Sequence, residues 1–240
     1  MLNSPGKIVR GVAWTVGPFG ASVVLRLASN VIISRLLTPD IFGIMVVIST
    51  IRYGVELLTD IGIEQSIVQN KNGEEPRFSN TAWTIQLLRS VLLFAILLAV
   101  SWPLASFFDV PAAYIQFSGL MIVIVGLQSP ARAFLQRRLQ FAARNLFELA
   151  LVAANSIITV GLVFLMPTVW GVLLSNTVST AVATAATFLL PTSKVRFTLD
   201  REFAREIISF GKWIFLSSLV AFLCGNFDRI YLGHVAPLAI

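Results

Sequence analysis

The sequence predicts an all-α protein, a polytopic bundle of membrane helices, from three observations. The chain of 240 residues is 56% hydrophobic and only 12% charged, whereas soluble domains carry about 25% charged residues. Its apolar residues are gathered into long runs, and a spanning helix needs about 20 mostly apolar residues. The runs lack the polar/apolar alternation of barrel strands, so helices are expected to supply the backbone hydrogen bonds that lipid cannot.

The runs divide the chain into one complete lobe and the start of another. The expected spans are 12–37, 41–69, 83–108, 113–136, 144–166 and 168–190, with 207–232 as the seventh. We therefore expect a six-helix lobe over 1–191. Residues 192–240 should hold a cytoplasmic amphipathic linker helix, from Thr198 to Lys212, and the first span of a second lobe. Short turns with proline (LLTPD, FFDVP and LMPT) should make neighbouring helices antiparallel.

The distribution of basic residues indicates orientation. Lysine and arginine are frequent in the connections 70–80, 137–144 and 191–206, whereas those near 109–112 and 167 contain none. Basic loops stay in the cytoplasm, so the N-terminus is expected there. This asymmetry accounts for the net charge of +6 without a nucleic-acid partner, and no basic stripe interleaved with aromatic residues is present.

Two arginines inside the apolar runs are the leading candidates for a binding site. Arg26 and Arg52 each lie about 16 Å from the outer end of their run, near the bilayer centre. A charge there costs about 2.5–3.5 kcal/mol on insertion scales. We expect both on adjacent antiparallel helices, facing a polar cavity or paired with acids. Because a guanidinium binds phosphate through paired bonds, they are the candidates for binding an anionic diphosphate.

The stretch IRYGVELLTDIGIEQ carries Arg52, Glu56, Asp60 and Glu64 at steps of four, which predicts one stripe along a continuous helix. Two interpretations are open. In the first, Arg52 and Glu56 neutralise each other, and Asp60 and Glu64 lie at the membrane interface. In the second, the stripe lines a water-filled path in which Glu56 or Asp60 binds a coupling cation or proton. Further polar side chains expected in this cavity are Asn30, Ser34 and Gln86.

Motifs of catalysis and metal binding are missing from the sequence. It contains no HExxH, CxxC, glycine-rich phosphate loop or G-x-S-x-G. A single histidine and a single cysteine exclude a multi-histidine metal site and an internal disulfide. We therefore expect no enzyme, no cofactor and no metal.

Several segments resemble a known family. RLLTPDIFG (35–43) followed by LLTDIGIEQSIVQ (57–69) resembles the signature of the first two spans of polysaccharide flippases, the Wzx-like branch of the multidrug/oligosaccharidyl-lipid/polysaccharide exporter superfamily. Later segments that agree are FLQRRLQF (134–141), SFGKW (209–213) and DRIYLG (228–233). The resemblance covers essentially the whole chain and is specific for the family but not for a substrate.

The resemblance implies a V-shaped transporter with two six-helix lobes in the bacterial inner (cytoplasmic) membrane. Such a protein flips an undecaprenyl-diphosphate-linked oligosaccharide by alternating access for O-antigen, exopolysaccharide or capsule. The implied partners are this lipid-linked oligosaccharide, the bilayer and the polysaccharide polymerase machinery. Since seven spans are expected here, the chain is either a fragment or a half-transporter that dimerises. The alternatives are a cation-coupled multidrug or small-molecule antiporter of the same superfamily and a non-transporting scaffold of polysaccharide assembly.

Overall fold

The computed structural model describes residues 5–57, 62–191 and 194–235, with side-chain environments for 17–55, 62–191, 194–217 and 220. Over these ranges the chain is helical and contains no strand, which confirms the all-α prediction. The helices are α1 (Pro5–Leu36), α2 (Pro39–Leu57), α3 (Ile63–Gln69), α4 (Pro76–Phe108), α5 (Ala112–Gly126), α6 (Ala131–Arg137), α7 (Phe141–Leu165), α8 (Val169–Thr187) and α9 (Arg201–Val235).

Local sequence explains where the long helices begin and end. Pro39 and Pro76 stand at the start of α2 and α4, where a missing N–H has no consequence. Asp109 takes a left-handed conformation (φ 54°) and ends α4. At the start of α8, the hydroxyl of Thr168 accepts a hydrogen bond from the Gly171 N–H at 3.3 Å. The three proline-containing turns therefore lie where the sequence predicts them.

The second predicted span is not one continuous helix. α2 ends at Leu57, and Gly62 precedes α3 in a left-handed conformation (φ +57°). A side chain at Gly62 would also collide with Ile214 of α9, whose Cγ1 would lie 2.7 Å from the added Cβ. Because the helix does not continue past this point, the prediction that Glu64 extends the charge stripe is wrong. Its carboxylate instead lies 4.0 Å from the guanidinium of Arg144.

The fourth predicted span is also broken. α5 and α6 are bent by 54° where Pro130 interrupts the run. Side chains of α4 satisfy carbonyls at the bend: Gln86 Nε2 donates to Val125 and Gly126 at 3.2 and 3.3 Å, and Trp83 Nε1 donates to Leu127 at 3.3 Å. Such partners let irregular backbone exist at membrane depth.

The two short helices, α3 and α6, pack against each other and are joined by Arg137. Its guanidinium donates to the carbonyls of Ile67 (2.8 Å), Val68 (3.0 Å) and Lys71 (3.1 Å), and also to that of Asn70. The last carbonyls of a helix have no partner within the helix itself. Arg137 therefore caps α3 from a neighbouring element.

Long apolar helices confirm a multi-pass membrane protein. Within the described residues, four helices are long and apolar enough to cross a membrane, or five if α5 and α6 form one span. The 19-residue α2 carries three charged residues (Asp40, Arg52 and Glu56), which lowers its hydropathy. The number of six spans in the first lobe and the boundary between the two lobes stay predictions.

Long helices that follow one another in the chain are not always the ones that pack together. α4 lies along α5, α5 and α7 both contact α8, α1 lies along α7, and α2 lies along α5. Arg26 and Arg52 are therefore on helices that do not pack along one another, unlike the expectation. The reason is that the buried apolar side chains of α2, such as Ile51, cluster with Leu93, Leu97 and Ile115 of α4 and α5.

An extended segment of residues 194–200, called the strap here, lies along α4 and leads into α9. The backbone N–H groups of Arg196, Thr198 and Asp200 donate to side-chain oxygens of Asn80, Thr84 and Thr81 at 3.1–3.2 Å. The predicted linker helix from Thr198 to Lys212 therefore begins three residues late, at Arg201. It also continues to Val235 as one helix with the seventh apolar run, because no proline interrupts it.

Candidate functional site: a polar groove between α1, α5, α7 and α8

A groove of about 530 Å³, called the polar groove here, opens between four helices. α1 contributes Arg26 and Asn30, one turn apart, so that both side chains lie on the same helix face. The other polar residues that line it are Gln128 at the end of α5, Asn155 of α7, and Ser179 and Thr180 of α8. The groove thus gathers side chains that are far apart in the sequence.

The chemistry of the polar groove is one cation surrounded by amides and hydroxyls. Arg26 is the charged residue among those that line it. Ser179 is buried, and its hydroxyl has no hydrogen-bond partner among the described residues. Since buried polar groups are normally bonded, such a hydroxyl marks a place where water or a ligand group binds. A guanidinium with neutral donors and acceptors suits a ligand that combines a phosphate with sugar hydroxyls.

The predicted site residues are only partly brought together. Arg26 and Asn30 share the polar groove, whereas Arg52 is half-buried on α2 and is not among the lining residues. Ser34 is exposed and donates to the carbonyl of Val31 at 2.9 Å. Gln86 supports the α5–α6 bend, and it also lines a small cavity of about 50 Å³. The side chain of Glu56 and all of Asp60 lie outside the described residues.

Sequence reasoning missed an ion pair close to this groove. Arg132 of α6 donates to the carboxylate of Glu148 on α7. Arg132 lines the small cavity together with Gln128, which also lines the polar groove. The sequence did contain a signal, because Glu148 and Asn155 are seven residues apart in an apolar run and so share one helix face.

Comparison with known proteins identifies relatives of the chain. A family described as polysaccharide biosynthesis protein matches residues 32–238. The lipopolysaccharide biosynthesis protein WzxC of Escherichia coli (strain K12) is 24% identical over 233 residues, which is 95% of this chain and 47% of that protein. The succinoglycan biosynthesis transport protein ExoT of Rhizobium meliloti (strain 1021) is 25% identical over 214 residues, which is 85% of this chain and 42% of that protein.

A third relative is an uncharacterized membrane protein in the cps region of Klebsiella pneumoniae, 26% identical over 137 residues. That alignment covers 56% of this chain and 28% of the relative. The chain therefore spans less than half the length of these curated relatives. No solved structure matches it.

Proposed function

Since the chain belongs to the polysaccharide biosynthesis protein family, we propose that it acts in a transporter that flips a lipid-linked oligosaccharide across the bacterial inner membrane. The proposed substrate is an undecaprenyl-diphosphate-linked oligosaccharide destined for surface polysaccharide. The name of one relative supports transport, a succinoglycan biosynthesis transport protein, and that of another supports surface polysaccharide, a lipopolysaccharide biosynthesis protein. Their greater length supports the proposal that the working transporter contains more than the chain described.

The composition of the polar groove carries the proposal. Arg26 offers a guanidinium to a diphosphate, and Asn30, Gln128, Asn155 and Ser179 offer neutral hydrogen-bonding groups of the kind that bind sugar hydroxyls. A drug or cation antiporter would favour a carboxylate at this place, because its substrate is positively charged. The polar groove has an arginine instead, which favours the anionic substrate.

The two broken helices support alternating access as the mechanism. Discontinuous helices in transporters lie next to substrate and ion sites and line water-filled cavities. Here the bend between α5 and α6 places Gln128 in the polar groove. We propose that Arg52 contributes a second cation, that Glu56 or Asp60 binds the coupling ion or proton, and that the N-terminus is cytoplasmic.

The test is a pair of charge-neutralising variants of the full transporter in a strain that lacks the gene. Arg26→Gln should reduce surface polysaccharide by about tenfold or more, because a charge-assisted contact with the diphosphate is lost. Arg35→Gln, on the same helix, is the matched control and should stay within about twofold, because Arg35 does not line the polar groove. Lipid-linked intermediates should accumulate in the deletion strain, as mass spectrometry of membrane lipids would measure.

Three outcomes would contradict the proposal. Normal export by Arg26→Gln at normal protein levels would show that the polar groove does not bind the diphosphate. Unchanged lipid intermediates in the deletion strain, together with new sensitivity to cationic compounds, would instead indicate the antiporter. Full function after neutralisation of both Arg26 and Arg52 would indicate the scaffold of polysaccharide assembly.

A further inference from the structure

A second cavity of about 510 Å³ lies beside the strap and is lined by a different set of residues from the polar groove. We call it the strap pocket. Its lining residues come from the 70–75 loop, the first turns of α4, the end of α6 and the strap itself. They include Glu74, Ser79, Asn80, Phe134, Arg138, Lys194 and Arg196. None of these residues lines the polar groove.

The strap pocket carries an excess of positive charge. Arg138 is paired with Glu74 through bonds of 3.0 and 3.3 Å from Nε and Nη2 to the two carboxylate oxygens. Lys194 and Arg196 have no carboxylate within 4.0 Å among the residues that the structure describes. Three cations thus line the strap pocket with one carboxylate, which leaves two positive charges without compensation.

The wall that carries these two charges is held in place by the fold. The backbone N–H of Arg196 donates to Asn80 Oδ1 at 3.1 Å. One residue later, the ring of Phe197 contacts Trp83 edge to face, with ring centres 5.0 Å apart. At the end of the strap, Asp200 pairs with Arg77 at 2.7 Å. Since backbone and aromatic contacts fix the strap, the side chains of Lys194 and Arg196 are not needed to hold it.

The strap alternates in polarity in the way that an extended chain at a membrane surface should. Successive side chains of an extended segment point to opposite faces. Lys194 and Arg196 line the strap pocket, whereas Phe197 and Leu199 are 70% and 58% exposed. Apolar side chains next to cations are typical of the boundary between headgroups and acyl chains.

We propose that the strap pocket binds the phosphate headgroup of an anionic phospholipid in the adjoining leaflet, with the acyl chains lying against Phe197 and Leu199. The recognised chemistry is a phosphate ester, and the exposed apolar side chains favour a lipid rather than free phosphate as its source. Basic pockets between membrane helices bind anionic headgroups in this way. The proposal does not depend on what the protein transports.

The test measures lipid binding by native mass spectrometry of the full-length protein released from detergent. Phosphatidylglycerol and the zwitterionic phosphatidylethanolamine are compared for the wild type and for Lys194→Gln/Arg196→Gln. The wild type should prefer phosphatidylglycerol. The double variant should bind it about thirtyfold more weakly, because the two basic side chains that attract the anionic headgroup are lost. Arg201→Gln/Arg205→Gln removes the same charge from α9 at positions that do not line the strap pocket, and binding should stay within about threefold of the wild type.

Two further measurements separate the alternatives. Lys194→Arg/Arg196→Lys keeps both charges and should restore the preference, which distinguishes lost charge from a folding defect. Inorganic phosphate at millimolar concentration should not displace the lipid. Equal binding of the two lipids by the wild type, equal losses in the two double variants, or failure of the charge-keeping variant to restore binding would each overturn the proposal. Displacement by inorganic phosphate alone would overturn the assignment to a lipid.

Discussion

Replacement of Arg137 by glutamine should destabilise the junction of α3 and α6. The guanidinium donates to four backbone carbonyls, two in the last turn of α3 and two in the residues that follow it. A hydrogen bond to a charged group contributes about 1.5–3 kcal/mol, and a buried group left without its partner costs a similar amount. Arg137 is half-buried, so water can replace some of these bonds in the variant. We therefore expect the free energy of unfolding to fall by about 2 kcal/mol in total, rather than by four times the contribution of a single hydrogen bond.

The assay is thermal unfolding in detergent, followed by intrinsic tryptophan fluorescence. A loss of about 2 kcal/mol corresponds to a Tm about 4–8 °C lower for a chain of this size. Arg138→Gln, at the next residue, is the matched control. Its pair with Glu74 is exposed, 42% for each side chain, so its Tm should change by less than about 2 °C. Equal shifts in the two variants would refute the capping role of Arg137.

Two more predictions follow from the same region. Gly73→Ala should lower the Tm by several degrees, because the added Cβ would lie 2.0 Å from the carbonyl oxygen of Ile67. The control is Gly161→Ala, which should not lower the Tm because its added Cβ has nothing within 4 Å. Similar Tm values for the two variants would contradict this prediction. The hydrogen bond from Arg138, with a smaller contribution from its charge and that of Arg137, lowers the pKa of Glu74 below 4.5. A lowered carboxyl pKa stabilises the folded state above the unfolded pKa, and this stabilisation is lost as the pH falls through the folded pKa. Glu74→Gln should therefore flatten the fall of Tm below about pH 4.5, and a fall as steep as that of the wild type would count against the pair.

The helical class and most helix ends could be predicted from the sequence because they depend on local chemistry. Apolar runs of spanning length and prolines after helix ends, such as Pro39 and Pro111, act within a few residues of where they stand. The breaks after Leu57 and before Pro130 were less visible. Charged residues at helical spacing around Gly62 are compatible with an intact helix, and the residues before Pro130 are apolar. The groups that lie against these breaks, such as Ile214 beside Gly62 and Gln86 at the α5–α6 bend, come from other helices.

The residues of the candidate site were likewise predicted only in part. Arg26 was predicted because it is a charged residue near the middle of an apolar run, and Asn30 because it is a polar residue in the same run. Asn155 and Ser179 were missed, since a single amide or hydroxyl in a membrane helix commonly bonds within its own helix, as Ser34 does here. Only the packing of α1 beside α7 shows which of these polar residues meet.

The strap has a mechanical consequence for α9. Its backbone is tied to α4 up to Asp200, and α9 begins at the next residue, so the helix is clamped at one end with no slack. A helix of 35 residues is about 52 Å long. Its first part is held along its length as well, because Ile207 is buried against α3 and α4 and Ile214 lies beside Gly62. The part from Ile214 to Val235 is about 32 Å long, and as a stiff rod it would turn a tilt of about 5° at Ile214 into a displacement of about 3 Å at Val235.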